Sequence, residues 1–537
     1  MFQNLGSISQ HIRQLNFRPV ARWDGLSSGP VDFSADIPKR DAVLRAFKHA
    51  WHAYERDAMG DDEYHPISKK GTNLMDAGGI GFTVVDAIDT MQIMGLDDEY
   101  QRARNWVEKE LTFDRDDKVS TFETTIRVLG GLLSAHHLSG DELYLKKAVD
   151  LADRIIPAFD TKSGLPLPLV NLAASKGMED PDSPGVVSTA EVTTLQLEFR
   201  YLSFLTDNDI YWQKVEKVMR TVKGARMPQG VSPIYMSPET GLFLTGPIRL
   251  GSRGDSFYEY LLKQYLQTAE TEDVYREMYE DAVQAITDHL LRRSVPNNHL
   301  WTVELIPERD RKTGELRWKL TPKQDHLVCF FGGSLMLGAT TAGALVHPVS
   351  IPPQADELTD SGRRDWKNGI DLIDSCLYTH NTSTGLSPEI VRFHLEGDGT
   401  LYTGTSKDWY IEGAKLPGQD PPYDARYILR RPETVESLFL AFRLTGDAKY
   451  RQYGWEIFQS IEEHCRVESG GYASIINVDE NPARMEDKME TFFVSETLKY
   501  LYLLFEDSSI MPLDKYVFNT EAHPLPIFHP HIRTGFM

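Results

Sequence analysis

Apolar residues recur at three- and four-residue steps along most of this chain, and that spacing predicts helices with a buried face. Segments 124–159 and 434–465 each show an apolar stretch, a Gly-Asp junction and a second stretch of the same period. A glycine at such a junction commonly ends a helix. Each segment therefore predicts two antiparallel helices joined by a short turn.

The helical pairs repeat along the chain. Turns such as SGLP (163–166), TGLF (240–243) and SGGYAS (469–474) follow second helices and lead into short extended segments. The unit of helix, turn, helix and hairpin returns about every 60 residues, and such internal repetition indicates a repeat architecture. One set of helices is predicted to begin near residues 83, 123, 191, 255, 327, 433 and 490. The partner set is predicted to begin near residues 40, 97, 141, 209, 272, 364 and 447.

The first set is the more apolar around its circumference, as in CFFGGSLMLGATTAGAL (329–345). Helices that are apolar all round are buried, so the first set is predicted to be inner and the second outer. Seven pairs closed in a ring predict an all-α fold, an (α/α)7 toroid with short β-hairpins on one rim. The long connections 159–190 and 293–325 are expected on that rim, where function usually concentrates.

No Gly/Ser-rich or low-complexity linker divides the chain, which favours one catalytic domain over residues 38–526. Residues 1–37 are then an N-terminal extension and residues 527–537 a C-terminal tail. No stretch reaches ~18 unbroken apolar residues, so no membrane span is predicted. Segment 1–17 lacks the apolar core of a signal peptide. Either the protein is cytosolic or its targeting segment lies outside this sequence.

The charge balance narrows the class of partner. The 537 residues include 57 Lys and Arg against 79 Asp and Glu, a formal net charge of −22. Nucleic acids and anionic membranes select basic surfaces, so this balance argues against both as partners. It fits a protein that handles neutral or cationic ligands.

The chain has three cysteines, Cys329, Cys376 and Cys465. They are too few for a disulfide scaffold and lack the C-x-x-C spacing of a zinc site. Three buried thiols, or one disulfide with one free thiol, remain open from the residues alone. Asn381-Thr382-Ser383 is an N-glycosylation sequon.

The starts of the inner helices share one feature, an acid in the first turn. These acids are Glu123, Glu191, Asp255, Glu433 and Glu490. A single acid there is explained by the helix dipole, which contributes about 0.3–1 kcal/mol. In a toroid, however, the inner N-termini point to one end, so the set is expected to converge on one cavity. Crowded carboxylates suit acid–base chemistry on a neutral, hydroxyl-rich substrate, or a hard cation bound through oxygen.

Other side chains near these starts fit a sugar site. Arg127 lies one helical turn beyond Glu123, and Arg431 lies two residues before Glu433. His326 opens an inner helix, and Phe492 could stack on a pyranose ring. The chain has no Walker motif, no H-E-x-x-H and no G-x-S-x-G. A toroidal terpene cyclase would need D-D-x-x-D, which Asp61-Asp62 and Asp97-Asp98 do not complete.

The ordered motifs of the chain resemble glycoside hydrolase family 47, the class I α-1,2-mannosidases. They include GFTVVDAIDT (81–90), FETTIRVLGGLLSAHHLSGD (122–141), GDSFYEYLLKQ (254–264), RPETVESL (431–438), METFFVSETLKYLYLLF (489–505) and VFNTEAHPLP (517–526). The resemblance runs from about residue 40 to residue 526 and implies a seven-fold (αα) barrel. It implies hydrolysis of terminal α-1,2-linked mannose from high-mannose N-glycans, with inversion at the anomeric carbon.

The resemblance also implies roles for the acids. Glu123 matches the general acid, Glu433 the general base and Asp255 a third essential acid, and the sequence does not fix the assignment within this trio. Inverting enzymes hold two carboxyl groups ~6.5–9.5 Å apart, so that a water fits between base and sugar. Family members bind one Ca²⁺ through a threonine that matches Thr520. The acids expected to hold its waters are Glu436, Glu496 and Glu521.

The family's substrate-contacting positions match Arg127, His326, Arg431 and Phe492. Arg253 resembles the arginine of the endoplasmic-reticulum subgroup, whereas Golgi-type and secreted fungal members tend to have a smaller apolar residue there. This match favours removal of one specific branch mannose.

The family's disulfide matches Cys329 and Cys376, which leaves Cys465 as a free thiol. A disulfide requires an oxidising compartment, so the resemblance implies the secretory pathway lumen or secretion. The expected partner is a high-mannose glycan or glycoprotein, and the expected state is a monomer. The alternative function is a weakly active glycan-binding factor that delivers misfolded glycoproteins for degradation.

Overall fold

The computed structural model describes residues 31–225, 230–398, 407–414, 420–427, 431–532 and 536. Fourteen long helices alternate between an outer and an inner position along the described chain. They are α1 (Ile37–Ala58), α2 (Phe82–Ile93), α3 (Asp97–Lys109), α4 (Gly130–Ser139), α5 (Glu142–Ile155), α6 (Gln196–Thr206), α7 (Asp209–Gly224), α8 (Asp255–Gln267), α9 (Asp273–His289), α10 (Phe330–Ala339), α11 (Asp360–Thr379), α12 (Glu433–Thr445), α13 (Ala448–His464) and α14 (Leu498–Phe505).

Several inner helices are preceded by a tighter or wider turn at the same end of the barrel. Two of these turns, Thr124–Leu129 before α4 and Phe493–Thr497 before α14, are π-helical. The other short helical segments are Thr121–Glu123, Ile156–Phe159, Thr189–Thr193, His326–Cys329, Ala355–Glu357 and Tyr423–Ala425. Single π turns within α-helices frequently occur at functional sites, and these two flank one cavity.

The even-numbered helices are inner and the odd-numbered helices are outer. In α8 every residue from Ser256 to Gln267 is buried, whereas α3 buries only Glu99, Ala103 and Val107. This difference follows the sequence pattern, because α8 is apolar on several sides and α3 on one side only. The predicted all-α (α/α)7 toroid is confirmed, and the predicted helix starts lie within a few residues of the observed ones.

The strands are short and pair only in the antiparallel direction, in two- and three-stranded sheets that number eight within the described residues. They are β1 (Glu63–His65), β2 (Lys70–Thr72), β3 (Lys118–Ser120), β4 (Leu169–Asn171), β5 (Lys176–Met178), β6 (Val187–Ser188), β7 (Tyr235–Met236), β8 (Leu291–Arg293), β9 (Leu300–Thr302), β10 (Glu304–Arg309), β11 (Leu316–Thr321), β12 (Lys323–Asp325), β13 (Ile390–Phe393), β14 (Trp409–Tyr410), β15 (Ser474–Ile475), β16 (Met485–Glu486), β17 (Tyr516–Phe518) and β18 (Pro524–Pro526).

The two long connections that the sequence predicted as loops or hairpins are hairpin-rich. Residues 159–190 contain β4 and β5, and residues 293–325 contain β9 to β12. The last hairpin, β17–β18, differs from the others because its turn packs among the inner helices. Asn519 in this turn donates its side-chain amide to Ile126 O at 2.8 Å and to Glu198 Oε1 at 2.7 Å.

A disulfide joins an inner helix to its outer partner. Cys329, just before α10, is bonded to Cys376 of α11, and Cys465 is a buried free thiol. Both agree with the pairing implied by the family resemblance. The two helices also approach closely, since a Cβ on Gly332 would lie 2.6 Å from Ile373 Cγ1.

Three sequence predictions about the chain ends and surface have different outcomes. Among the described residues, no helix is long and apolar enough to cross a membrane. Residues 1–30 of the predicted N-terminal extension lie outside the described residues. The boundaries at residues 38 and 526, and glycosylation of Asn381, stay predictions.

Candidate active site

The N-terminal ends of the inner helices surround one cavity of about 450 Å³. We call it the acidic cavity, because acids dominate its charged lining. Its carboxylates are Glu123, Glu191, Asp255, Glu259, Glu433, Glu436, Glu496 and Glu521. Its guanidinium groups are Arg127, Arg253 and Arg431. Phe492 and Thr520 also line it. The predicted convergence of acids from successive helix starts is therefore observed.

Serine side chains begin two of the helical segments and so fix where their acids lie. The hydroxyl of Ser120 accepts a hydrogen bond from the Glu123 amide at 3.1 Å. Ser188 does the same for Glu191 at 3.4 Å. A serine in this position satisfies an amide that has no partner within the helix. The acid three residues later is then held at the first turn, where it lines the cavity.

Arg127 links three parts of the cavity. Its Nε donates to Glu123 Oε2 at 2.8 Å, and its Nη1 donates to Glu521 and, at 3.1 Å, to Thr491 Oγ1. The guanidinium carbon lies 4.8 Å from the centroid of the Phe492 ring. Burial opposes the charge, but the neighbouring carboxylates raise the pKa of Arg127 further above its ordinary value. Arg127 is therefore a permanent cation that orients Glu123.

Asp255 and Glu433, each the first residue of its helix, are buried acids. Burial raises the pKa of Asp255 to about 7 and that of Glu433 to about 8. Glu433 Oε1 accepts from Arg431 Nη1 at 3.4 Å, whereas Oε2 is buried with no hydrogen bond to any described residue. An acid with one bonded and one free oxygen can exchange a proton with a bound molecule.

Arg431 is itself held by an acid that the sequence analysis did not select. Its Nε donates to Glu389 Oε2 at 2.7 Å, and its Nη2 donates to the other oxygen of the same carboxylate. Such a two-point contact fixes the plane of the guanidinium group. Glu389 could have been suspected from its place in the motif TGLSPE (384–389).

Thr520 lies at the tip of the β17–β18 turn and faces a second acid that was missed. Its hydroxyl donates to Glu259 Oε2 at 2.9 Å, and its backbone amide donates to the Tyr260 hydroxyl at 3.3 Å. Lys263 donates to Glu259 and lies 3.5 Å from Glu436 Oε1. The available signal for Glu259 was its spacing, one helical turn beyond Asp255 on the same face of α8.

The acids around Thr520 are buried and repel one another. Burial raises the pKa of Glu436 to about 7. Burial also raises the pKa values of Glu496 and Glu521 well above the ordinary value, and neighbouring acids add to this although Arg127 opposes it. All donors here are oxygen atoms, the ligands that hard divalent cations prefer. Within the described part of the chain, no three His, Cys, Asp or Glu side chains are placed to hold a metal by themselves. The donor chemistry fits a cation bound mainly through threonine and water oxygens.

Of three further predicted positions, Glu490 needs correction, whereas the substrate contacts predicted for His326 and Arg253 stay predictions. The side chain of His326 does not line the cavity but is buried beside it, with Nε2 3.0 Å from Thr434 Oγ1. The Glu490 carboxylate also lies outside the lining, 3.3 Å from Lys488 Nζ, because the residue precedes the helix rather than starting it. Arg253 is half-exposed, and its Nη1 donates to Glu191 Oε1 at 3.2 Å.

The sequence profile of Glycosyl hydrolase family 47 matches residues 46–527. The chain is 44% identical over 506 residues to a mannosyl-oligosaccharide 1,2-alpha-mannosidase of Candida albicans, covering 92% of this chain and 85% of that protein. It is 42% identical over 505 residues to the endoplasmic reticulum mannosyl-oligosaccharide 1,2-alpha-mannosidase of Schizosaccharomyces pombe, covering 93% and 91%. An alpha-1,2-mannosidase structure from Trichoderma reesei matches with a TM-score of 0.78 and 28% identity, covering 92% and 100%.

Proposed function

This chain belongs to glycosyl hydrolase family 47, and we propose that it removes terminal α-1,2-linked mannose from high-mannose N-glycans with inversion at the anomeric carbon. The observation that carries this proposal is the convergence of Glu123, Asp255 and Glu433 on one cavity beside orienting arginines. A neutral sugar fits such a cavity, since its hydroxyl groups can both donate to carboxylates and accept from guanidinium groups.

Inversion needs one carboxyl group to protonate the leaving oxygen and another to activate water on the opposite face of the sugar. We assign the first role to Glu123, whose carboxylate is oriented by Arg127. We assign the second to Glu433, whose ionised carboxylate can accept a proton from water at Oε2. The charge of Arg431 favours that ionised form against the effect of burial on the pKa of Glu433. Asp255 is the third acid of the site, and Phe492 supports the sugar ring by stacking. Arg431 keeps the Glu433 carboxylate in place through its own contact with Glu389.

We further propose that Thr520 holds a calcium ion, with Glu436, Glu496 and Glu521 binding its waters. The supporting observation is the group of buried carboxylates around Thr520, whose pKa values are raised by burial first and by neighbouring acids in addition. A bound divalent cation offsets several carboxylates at once and can engage adjacent sugar hydroxyls. Its binding would favour the ionised form of these acids.

The Cys329–Cys376 disulfide and one of the relatives support a proposal for the compartment in which the protein acts. The Cys329–Cys376 disulfide is stable in an oxidising compartment. The Schizosaccharomyces pombe relative is named as an endoplasmic reticulum enzyme. We therefore propose that the protein acts in the secretory pathway lumen. We propose separately that it is a monomer, and that Arg253 at the cavity mouth helps select one branch mannose.

One assay tests the reaction and its stereochemistry. The protein is incubated with a high-mannose oligosaccharide, with and without a calcium chelator, and the released sugar is followed by NMR. We expect β-mannose as the first product, and only when calcium is present. Release of α-mannose first would overturn the inverting mechanism, and unchanged release in chelator would overturn the calcium role. Binding of the glycan without release would favour the alternative glycan-binding factor.

A further inference from the structure

Behind the acidic cavity lies a group of charged residues to which the proposed reaction assigns no role. We call Asp86, Asp89, Lys499 and His523 the histidine cluster. All four side chains have an exposed fraction of zero. His523 Nδ1 lies 2.7 Å from Asp89 Oδ2, and His523 Nε2 lies 3.1 Å from Asp86 Oδ1. The imidazole is therefore bonded to a carboxylate at both nitrogens, which fixes the orientation of its ring.

Lys499 connects the cluster to the backbone of the β17–β18 turn. Its Nζ lies 2.8 Å from Asp89 Oδ1 and donates to Ala522 O at 2.7 Å. Two acids from α2 and a lysine from α14 thus hold residues 522 and 523 from two sides. Thr520 and Glu521, which line the cavity, are the preceding residues of the same turn.

The turn depends on these external contacts. Ala522 has a φ of 58°, a left-handed conformation that is unfavourable for a residue with a side chain. Asn519 Oδ1 accepts from the amides of Glu521 at 2.9 Å and His523 at 2.8 Å. The positions of Thr520 and Glu521 therefore depend on the contacts that hold the two ends of this five-residue turn, Asn519 and His523.

Helix α4 provides the space for this arrangement through a pair of glycines. A Cβ on Gly130 would lie 2.6 Å from Asn519 Nδ2 and 3.1 Å from His523 Cδ2. A Cβ on Gly131 would lie 2.8 Å from Val85 O of α2 and 3.2 Å from His523 Cε1. The imidazole and the asparagine amide thus occupy the surface that a side chain at residue 130 would otherwise fill. Glycine is costly inside a helix, and the close approach of the turn and of α2 accounts for the pair.

We propose that His523 is a positioning residue for calcium: it holds the turn so that Thr520 and Glu521 face the acidic cavity. This inference rests on the proposed function, in which Thr520 binds the ion. His523 acts through the turn and does not line the cavity itself. Residues that orient metal ligands commonly change metal affinity or activity about 10- to 100-fold when replaced.

The test measures calcium binding directly, by isothermal titration of the full chain after chelation. For His523→Gln we expect the calcium Kd to rise about 10- to 100-fold, with a matching fall in kcat on a free oligosaccharide. The control is Glu272→Gln, which breaks a buried ion pair with Arg200 (2.7 Å) beyond the far end of α8. It should lower the melting temperature and leave the calcium Kd unchanged.

A second variant covers the case in which His523→Gln does not fold. Gly130→Ala keeps every charge and crowds only Asn519 and His523. It should raise the calcium Kd in the same direction. If the unsubstituted protein binds calcium and the folded variants bind it with the same Kd, only the positioning role of His523 is overturned. Absence of calcium binding by the unsubstituted protein would overturn the calcium proposal, and this inference with it.

Discussion

The acidic cavity and the histidine cluster both contain fully buried carboxylates, yet the acidities of the two regions shift in opposite directions. Burial raises the pKa of Glu433 to about 8. Asp89 is just as buried, but the charges of Lys499 and His523 outweigh burial and lower its pKa to about 2. Burial is therefore not the reason why the pKa values shift in opposite directions. The reason is the number of cations in contact with each carboxylate.

The two charge balances correspond to two tasks. The acidic cavity holds eight carboxylates against three guanidinium groups and the ammonium group of Lys263, so part of its negative charge is left for a ligand to balance. The histidine cluster pairs two acids with two cations, and nothing is left to bind. A region that binds a ligand has carboxylates that are not all paired with cations. A region that only supports the fold pairs each carboxylate with a cation, because an unpaired buried charge lowers stability. Four predictions, which use five substitutions, test this contrast.

The largest expected effect is catalytic and lies in the acidic cavity. Glu123→Gln removes the proton that the leaving oxygen needs, so kcat should fall by about 10²- to 10⁴-fold. Glycan affinity, measured by titration calorimetry, should change little. The control is Glu108→Gln, a half-exposed acid on outer helix α3. Full activity in Glu123→Gln would refute its role as the acid.

The next effect is on stability and lies in the histidine cluster. Lys499→Met leaves Asp89 buried without its lysine, which should lower the free energy of unfolding by about 3–5 kcal/mol. Urea unfolding at neutral pH measures it. In the exposed pair Lys162–Glu239, Lys162→Met should cost at most about 1 kcal/mol. Equal losses in the free energy of unfolding for Lys499→Met and Lys162→Met would show that Lys499 stabilises the protein no more than an exposed ion pair does.

A third substitution tests whether the unmatched charge of the cavity binds calcium. With calcium at 100 times its Kd, the unsubstituted protein should gain about 2.7 kcal/mol in the free energy of unfolding. Thr520→Ala should lose most of this gain, as measured by thermal denaturation with and without calcium. Thr445→Ala, which removes a hydroxyl bonded to Ala441 O at the other end of α12, should keep it. An equal response in all three proteins would count against Thr520 as a ligand.

The smallest expected effect is on the pH dependence of stability, which should have opposite signs for a buried acid in the acidic cavity and one in the histidine cluster. The pKa of Glu433 is about 8 in the folded protein against an ordinary value of 4.5. Its contribution to stability is therefore present below pH 4.5 and lost as the pH rises through about 8. Glutamine does not ionise. In chelator, Glu433→Gln should melt higher than the unsubstituted protein at pH 8–9, with no such gain at pH 4.5.

Asp89→Asn provides the opposite sign. The pKa of Asp89 is about 2 in the folded protein against an ordinary value of 3.8. Its contribution is present above pH 3.8 and lost as the pH falls through about 2. The variant should therefore melt below the unsubstituted protein at pH 7, with a deficit that shrinks below pH 4. A change in melting temperature of the same sign in Glu433→Gln at pH 8–9 and in Asp89→Asn at pH 7 would contradict the contrast between the two regions.

The sequence predicted most of the fold because its signals are local. Helical periodicity and turn glycines depend on neighbouring residues, so the alternation of inner and outer helices followed from the chain alone. The convergence of the acids followed from one further step, the common direction of the inner helices. The pairing of Cys329 with Cys376 required the family resemblance, because three cysteines by themselves allow several states.

Parts of the site depend on contacts between segments that are far apart in sequence, and the sequence did not predict these contacts. Glu389 holds Arg431 from 42 residues away, and no local pattern indicates that pair. His326 is predicted to contact substrate, and its ring lies beside Thr434, 108 residues along the chain, a contact that no local pattern indicates. Glu490 was expected to join the ring of acids, but its carboxylate lies beside Lys488 and outside the lining.

The sequence by itself determined the helices, their order and the acid at the start of most inner ones, because each depends on residues within a few positions of one another. Only the tertiary structure decided which acids are matched and which are not. His523 meets Asp89 across 434 residues, and Thr520 meets Glu259 across 261. The ionisation of a buried acid depends on charges within a few ångströms, and only the fold brings those charges together.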